Sequence, residues 1–168
     1  MSSRPSICII GLGYVGLPLA IAVARDHRTL GFDIDQTRIR ELRDGHDRTN
    51  EVESDRLAAS NLIYSDQEAD IAGFDIYIIT VPTPVDEDNN PDLAYVLSAS
   101  DLVGRHMARG AIVVYESTVY PGVTEDICGP ALSAASGLVC GSGFHLGYSP
   151  ERINPGDREH TVDRITKV

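Results

Sequence analysis

Three glycines, Gly11, Gly13 and Gly16, follow an apolar run in the segment ICIIGLGYVGLPLAIAVA. The spacing Gly-x-Gly-x-x-Gly between a strand and a helix is typical of loops that hold the pyrophosphate of a dinucleotide. The first glycine permits a tight turn, the second lets a phosphate approach the backbone, and the third lets the helix pack close to the strand. The helix start adds unpaired N–H groups and the positive end of its dipole. The alternative is a tight turn without a ligand, so a second, agreeing feature is needed.

The second feature is Asp33, at the end of the strand-like segment TLGFDID and 22 residues after Gly11. A carboxylate here accepts hydrogen bonds from both hydroxyls of the adenosine ribose and repels a 2′-phosphate, which favours NAD over NADP. The alternative is that Asp33 or Asp35 only caps the next helix. Arg38, one turn into that helix, could reach the same end of the cofactor, accept a phosphate, or be a solvated surface charge.

Length, charge and composition limit the classes of function. A chain of 168 residues is about the size of one domain and long enough to bury a substantial core. The net charge of −11 argues against a nucleic-acid partner, which needs a basic surface. No apolar run reaches the length of a membrane span, and MSSRPS lacks the apolar core of a signal peptide. The dispersed cysteines and histidines show no metal-ligand spacing. We therefore expect a soluble, cytoplasmic protein without a metal.

Apolar strands and helical segments alternate along the whole chain. Strands are predicted over 6–10, 29–34, 62–64, 75–81, 111–115 and 144–148, and helices over 14–26, 36–43, 54–60, 90–108 and 121–135, with a brief helical piece over 66–72. Such alternation requires a parallel sheet with right-handed crossovers. We expect one domain over residues 1–168, a Rossmann-type doubly wound α/β fold with six strands in the order 3-2-1-4-5-6.

Ligands of such a sheet bind beyond the carboxyl ends of its strands, where three polar loops follow strands four, five and six. In VPTP, the prolines stiffen the loop and Thr83 offers a hydroxyl, unless the segment is only a rigid turn. Ser117 and Thr118 could hold a water or the nicotinamide amide, or cap a helix. Glu151 is a candidate for proton transfer, with an ion pair to Arg152 as the alternative.

Four segments together resemble the amino-terminal domain of the UDP-glucose/GDP-mannose dehydrogenase family: GLGYVGLPLA, VPTPVDEDNNPDL, VVYESTVYPGVTE and GYSPERINPGD. The resemblance runs from about Ile7 to Asp157 and so covers nearly the whole chain. ESTVYPG and SPERINPG resemble the branch that oxidises UDP-N-acetylhexosamines for bacterial surface polysaccharides. The UDP-glucose branch usually has a second glutamate where this chain has Pro155, which supports the acetamido-sugar branch.

The resemblance implies oxidation of a sugar C6 alcohol to a carboxylate with two NAD⁺. In the family, a cysteine thiolate captures the intermediate aldehyde, and water finally hydrolyses a thioester. Thr118 would position that water and Glu151 would transfer protons. The implied cofactor contacts are Gly11, Gly13, Tyr14, Val15 and Gly16 at the pyrophosphate, Asp33 and Arg38 at the adenosine ribose, and Val81, Pro82, Thr83 and Thr118 beyond strand four.

None of the three cysteines, Cys8, Cys128 and Cys140, lies in the glycine-rich setting of the family nucleophile. In the family, that cysteine, most of the UDP-sugar pocket and a central dimerisation helix follow the cofactor domain. We therefore expect an isolated cofactor domain that binds NAD weakly and turns over no sugar nucleotide. Two alternatives remain, a stand-alone NAD-binding regulatory module and a β-hydroxyacid-type dehydrogenase. The second is disfavoured because β-hydroxyacid-type dehydrogenases place a catalytic lysine on a later helix, whereas the single lysine here, Lys167, lies at the extreme end of the chain.

Overall fold

The computed structural model describes residues 4–85, 88 and 90–150. Its strands form one parallel sheet in the order β3-β2-β1-β4-β5-β6, which confirms the predicted topology. The strands are β1 (Ile7–Ile10), β2 (Thr29–Phe32), β3 (Ile63–Ser65), β4 (Ile76–Ile79), β5 (Ile112–Tyr115) and β6 (His145–Tyr148). Strand order reverses between β1 and β4, and such reversals open a crevice for ligands at the carboxyl ends of the strands.

Helices connect the strands at or near the predicted places. They are α1 (Gly16–Val23), α2 (Gln36–Arg43), α3 (Ser54–Ala58), α4 (Ala94–His106) and α5 (Gly129–Ser136), with a 3₁₀ turn over Glu68–Ile71 and a π-helical segment over Val123–Cys128. No helix within the described ranges combines the length and apolarity that a bilayer crossing requires. The elements therefore form a layered α/β domain with helices between successive strands.

The predicted starts of the first and fourth helices were wrong. The first helix begins at Gly16 rather than at residue 14, since the intervening residues form the turn that leaves β1. The fourth begins at Ala94 rather than at residues 90–92. Pro91 instead pairs with Val85 in an antiparallel bridge, and the Asp92 carboxylate accepts a hydrogen bond from the Ala94 N–H at 2.9 Å.

The sheet carries an apolar core on each face, because neighbouring strand residues point to opposite sides. In β1, Cys8 and Ile10 belong to the core shared with α4 and α5. Ile7 and Ile9 belong to the core shared with α1, α2 and α3. Covering both faces explains why strands such as IYII in β4 are continuously apolar. The ends of the central strands therefore lie between two layers of helices.

Tyr77 places a phenol inside one of these cores. Its hydroxyl donates to the Ile71 carbonyl at 2.8 Å and accepts from the Phe74 N–H at 3.2 Å. The side chain is fully buried, and this burial raises the pKa of Tyr77 to about 12 from 10.0. The neutral phenol is therefore favoured by the folded state.

This shift predicts a loss of stability at alkaline pH. Above pH 10 the unfolded chain releases the Tyr77 proton while the folded chain keeps it, so the stability contribution present below pH 10 declines as pH rises toward 12. At pH 8 we expect the free energy of unfolding of Tyr77→Phe to be about 1 kcal/mol lower than that of the unaltered chain. Between pH 8 and about pH 10.5, however, this free energy should fall by about 1 kcal/mol less in Tyr77→Phe than in the unaltered chain. Urea unfolding at both pH values measures this. The exposed Tyr95→Phe is the control, and equal pH-dependent losses in the unaltered chain and Tyr77→Phe would refute the prediction.

Candidate dinucleotide-binding site

A cavity of about 610 Å³ lies at the carboxyl ends of the central strands. Nine of the eleven predicted cofactor-binding residues line it: Gly11, Gly13, Tyr14, Val15, Asp33, Val81, Pro82, Thr83 and Thr118. The other two, Gly16 and Arg38, are buried beside it. Glu151 lies outside the described residues. The fold thus brings segments from four loops together around one space.

The glycine loop is shaped by close backbone packing. Gly11 has a φ of +94°, a left-handed conformation that side chains strongly disfavour, and its N–H donates to the Phe32 carbonyl at 2.8 Å. A Cβ on Gly16 would overlap the Gly11 carbonyl oxygen and the Thr80 hydroxyl. A Cβ on Gly13, in contrast, would meet no protein atom within 4 Å. Gly11 and Gly16 therefore serve the turn itself, whereas Gly13 leaves open space in front of the backbone.

Asp33 and Asp35 have separate tasks. Asp35 caps α2, accepting from the N–H groups of Thr37 at 2.8 Å and Arg38 at 3.2 Å, and these backbone hydrogen bonds lower the pKa of Asp35. Asp33 faces the cavity, and one of its oxygens accepts from the Leu12 N–H at 2.8 Å. The capping alternative therefore applies to Asp35. The ribose contact of Asp33 stays a prediction.

Arg38 supports the glycine loop from behind. Its side chain is only 4% exposed, and its Nε–H donates to the Leu12 carbonyl at 2.9 Å. Its Nη2 lies 2.7 Å from Oδ1 of Asp47, whose side chain is 1% exposed. Arg38 is therefore not a solvated surface charge. Sequence reasoning missed Asp47, because its stretch DGHDRTNEVESD shows only polarity and no sign of a buried partner.

Reciprocal hydrogen bonds join the loops that follow β4 and β5. The Thr83 hydroxyl donates to the Thr118 carbonyl at 2.6 Å, and the Ser117 hydroxyl donates to the Val81 carbonyl at 2.6 Å. Since the Thr83 proton is used in this contact, its oxygen can serve a ligand only as an acceptor. Ser117 fixes the loop rather than capping a helix, and the Thr118 side chain remains exposed in the cavity.

We expect Thr83→Val to weaken NAD⁺ binding about fivefold, because the loss of one hydrogen bond between these loops, worth about 1 kcal/mol, loosens the cavity wall. Thr83→Ser keeps the hydroxyl and should bind like the unaltered chain. Amide NMR titration measures both dissociation constants, and urea unfolding checks that both variants are folded. Equal affinities of the valine and serine variants would show that the contact does not support binding.

The fourth helix supplies a wall that sequence reasoning missed. Tyr95, Ser98 and Leu102 of α4 line the cavity, and so does Ile34, which is 75% exposed. The apolar pattern of α4 predicted a buried face but not which residues at its margin reach the strand ends. Because Ile34 directly follows Asp33, it lines the cavity beside the predicted ribose position.

The sequence matches the NAD-binding domain of the UDP-glucose/GDP-mannose dehydrogenase family over residues 5–168. The chain belongs to this family. It is 53% identical over 163 residues to CapL of Staphylococcus aureus and 50% identical over 163 residues to UDP-N-acetyl-D-glucosamine 6-dehydrogenase of Pseudomonas aeruginosa. These alignments cover 97% and 96% of this chain but only 38% and 39% of the two relatives, so the chain spans less than half of their length.

Solved structures of family members have the same fold. A UDP-D-ManNAc dehydrogenase from Pyrococcus horikoshii superposes with a TM-score of 0.82 at 37% identity, covering 90% of this chain and 37% of that protein. A GDP-mannose dehydrogenase from Pseudomonas aeruginosa, solved as a ternary complex, gives a TM-score of 0.82 at 26% identity and covers 94% and 38%. Family membership and these structures confirm the Rossmann-type fold and NAD as the cofactor of this domain.

The residues of the cavity fit NAD. Open space before Gly13 leaves room for the diphosphate at the start of α1, where N–H groups lack helical partners. Asp33 provides a carboxylate at the end of β2, and the exposed Thr118 side chain lies at the end of β5. When bound, NAD⁺ supplies the hydride acceptor. The protein side chains determine how the cofactor is held and which ribose it accepts.

Proposed function

We propose that this chain is the cofactor-binding part of an enzyme that oxidises the C6 alcohol of a UDP-N-acetylhexosamine to the uronic acid. The proposal rests on two observations together: an NAD-type cavity, and 50% sequence identity over 163 residues to UDP-N-acetyl-D-glucosamine 6-dehydrogenase of Pseudomonas aeruginosa. A homologous enzyme from Salmonella typhi with the same name supports the same substrate class. Uronic acids of this kind serve bacterial surface polysaccharides, and we propose a cytoplasmic location for the reaction.

Within this reaction we assign binding and proton-handling roles to the chain. The glycine loop binds the diphosphate, and Asp33 accepts hydrogen bonds from the adenosine ribose hydroxyls. Thr118 holds the water that attacks the acyl intermediate at the nicotinamide end of the cavity. Glu151 moves the proton released by that water. The UDP-sugar is the substrate, and the full-length protein forms a dimer, as the family resemblance implies.

The described cysteines are unsuited to act as the family nucleophile. Cys8 and Cys128 are buried, and burial raises the pKa of each thiol, which disfavours the reactive thiolate. Cys140 is exposed but does not line the cavity. The covalent step therefore needs a cysteine from outside this chain, which supports a binding role without turnover for these 168 residues.

The test compares the 168-residue chain with the longer protein that carries it. We expect the longer protein to reduce two NAD⁺ per UDP-N-acetylhexosamine and to react far more slowly with UDP-glucose. The 168-residue chain should bind NAD⁺ and turn over none of these sugars. A longer protein that prefers UDP-glucose would contradict the substrate class. Turnover by the 168-residue chain would contradict the division of roles.

A further inference from the structure

Arg38 and Asp33 contact the same residue of the glycine loop from two sides. The Asp33 carboxylate accepts from the Leu12 N–H at 2.8 Å, and the Arg38 Nε–H donates to the Leu12 carbonyl at 2.9 Å. The guanidinium and the predicted ribose acid are therefore one backbone residue apart. A cation at this place is close to where the 2′-substituent of an adenosine ribose would lie.

Asp47 keeps this cation on the buried side of the loop. Its carboxylate accepts from the Thr49 N–H at 3.0 Å and hydroxyl at 2.7 Å, from the Glu51 N–H at 2.9 Å and from the Val52 N–H at 3.0 Å. Burial raises the pKa of Asp47, but the hydrogen bonds from Thr49 and the adjacent guanidinium of Arg38 outweigh this effect and lower the pKa below its usual value. Asp47 is thus a fixed negative charge at neutral pH.

Arg38 and Asp47 form a buried ion pair. Nη2 of Arg38 lies 2.7 Å from Asp47, yet neither Nη1 nor Nη2 makes a well-aligned hydrogen bond to the described residues. Buried donors without aligned acceptors cost free energy, and phosphate oxygens are strong acceptors for a guanidinium. The position of Arg38 therefore depends on the negative charge of Asp47.

We propose that Asp47 is a specificity-determining residue that acts through Arg38: by holding the guanidinium behind Leu12, it denies a 2′-phosphate its cationic partner and so maintains the preference for NAD over NADP. The Asp33 carboxylate repels the 2′-phosphate, and Asp47 holds the Arg38 guanidinium away from the position where its positive charge could offset this repulsion. The inference rests on dinucleotide binding in the described cavity, and it adds a second residue, besides Asp33, that favours NAD over NADP.

The test measures dissociation constants of NAD⁺ and NADP⁺ by amide NMR titration. In Asp47→Asn we expect the ratio of the NADP⁺ constant to the NAD⁺ constant to fall about tenfold, since the released guanidinium can pair with the 2′-phosphate. Adding Arg38→Ala should restore the original ratio. Asp75→Asn is the matched charge control, because Asp75 binds Ser6 at the amino end of β4, away from the cavity. It should leave the ratio unchanged.

An unchanged ratio in Asp47→Asn, or an equal fall in the double variant or in Asp75→Asn, would overturn the proposal. If circular dichroism shows that Asp47→Asn is unfolded, Asp47→Ser replaces it, because a hydroxyl can still accept from the backbone N–H groups. Arg38→Ala alone is an independent test. We expect its ratio of the NADP⁺ to the NAD⁺ dissociation constant to stay within twofold of that of the unaltered chain. A clear rise would show that Arg38 already pairs with the 2′-phosphate. Failure of the unaltered chain to bind either dinucleotide would overturn the cofactor site and this inference with it.

Discussion

Gly16→Ala should abolish NAD⁺ binding and strongly destabilise the chain. The added Cβ would overlap the carbonyl oxygen of Gly11 and the hydroxyl of Thr80, so backbone must shift rather than a flexible side-chain end. Overpacking of this kind costs about 1–3 kcal/mol or more. The Thr80 hydroxyl also donates to the Gly11 carbonyl at 2.8 Å, and the shift would disrupt this hydrogen bond within the phosphate-binding turn.

The matched variant is Gly13→Ala, which separates ligand binding from folding. A Cβ on Gly13 meets no protein atom within 4 Å, so we expect a change in stability below about 1 kcal/mol. NAD⁺ affinity should still fall more than tenfold, because the methyl group occupies the space that the diphosphate needs. Urea unfolding and amide NMR titration measure the two effects. Full NAD⁺ affinity in Gly13→Ala, or a stable Gly16→Ala, would contradict the assigned roles of the loop.

Asp33→Ala should weaken NAD⁺ binding by about tenfold to a hundredfold. The substitution removes a carboxylate that would accept two hydrogen bonds from ribose hydroxyls, each worth about 1 kcal/mol. It also removes the acceptor of the Leu12 N–H, which helps to hold the glycine loop. Affinity for NADP⁺ should fall much less, because the variant no longer repels the 2′-phosphate.

Asp35→Ala provides the control for this prediction, because it removes a neighbouring carboxylate that caps α2. We expect it to lower the free energy of unfolding, because the helix loses its cap, without changing the ratio of NADP⁺ to NAD⁺ affinity. Isothermal titration calorimetry with both dinucleotides measures the two variants. If Asp33→Ala bound NAD⁺ as tightly as Asp35→Ala does, Asp33 would not be the ribose acid.

The sheet order was predictable because the alternation of strands and helices restricts the topology, and the glycine turn was predictable because local steric needs determine it. Apolar runs such as DIYIITV mark buried parallel strands, and Gly11 and Gly16 satisfy steric needs that no other residue type meets in this turn. The place of Asp33 followed in the same way, since the end of β2 must lie beside the end of β1 in a parallel crossover.

Other features depend on contacts between residues far apart in sequence. Asp47 becomes a buried partner of Arg38 only when the segment after α2 folds back under the glycine loop. The late start of α4 depends on the bridge between Pro91 and Val85, which local helix-start preferences do not reveal. The hydroxyl of Thr83 was predicted at the cavity, but its donation to Thr118 requires the relative position of two strands.

The most direct measurement is an amide NMR titration of the unaltered chain with NAD⁺, in which every backbone N–H reports its own surroundings. We predict saturable shifts at Gly11, Gly13, Asp33, Thr83 and Thr118, which line one cavity. Shifts confined to another place, such as the cleft of about 150 Å³ between α1 and α3, would contradict the account, and so would the absence of saturable shifts.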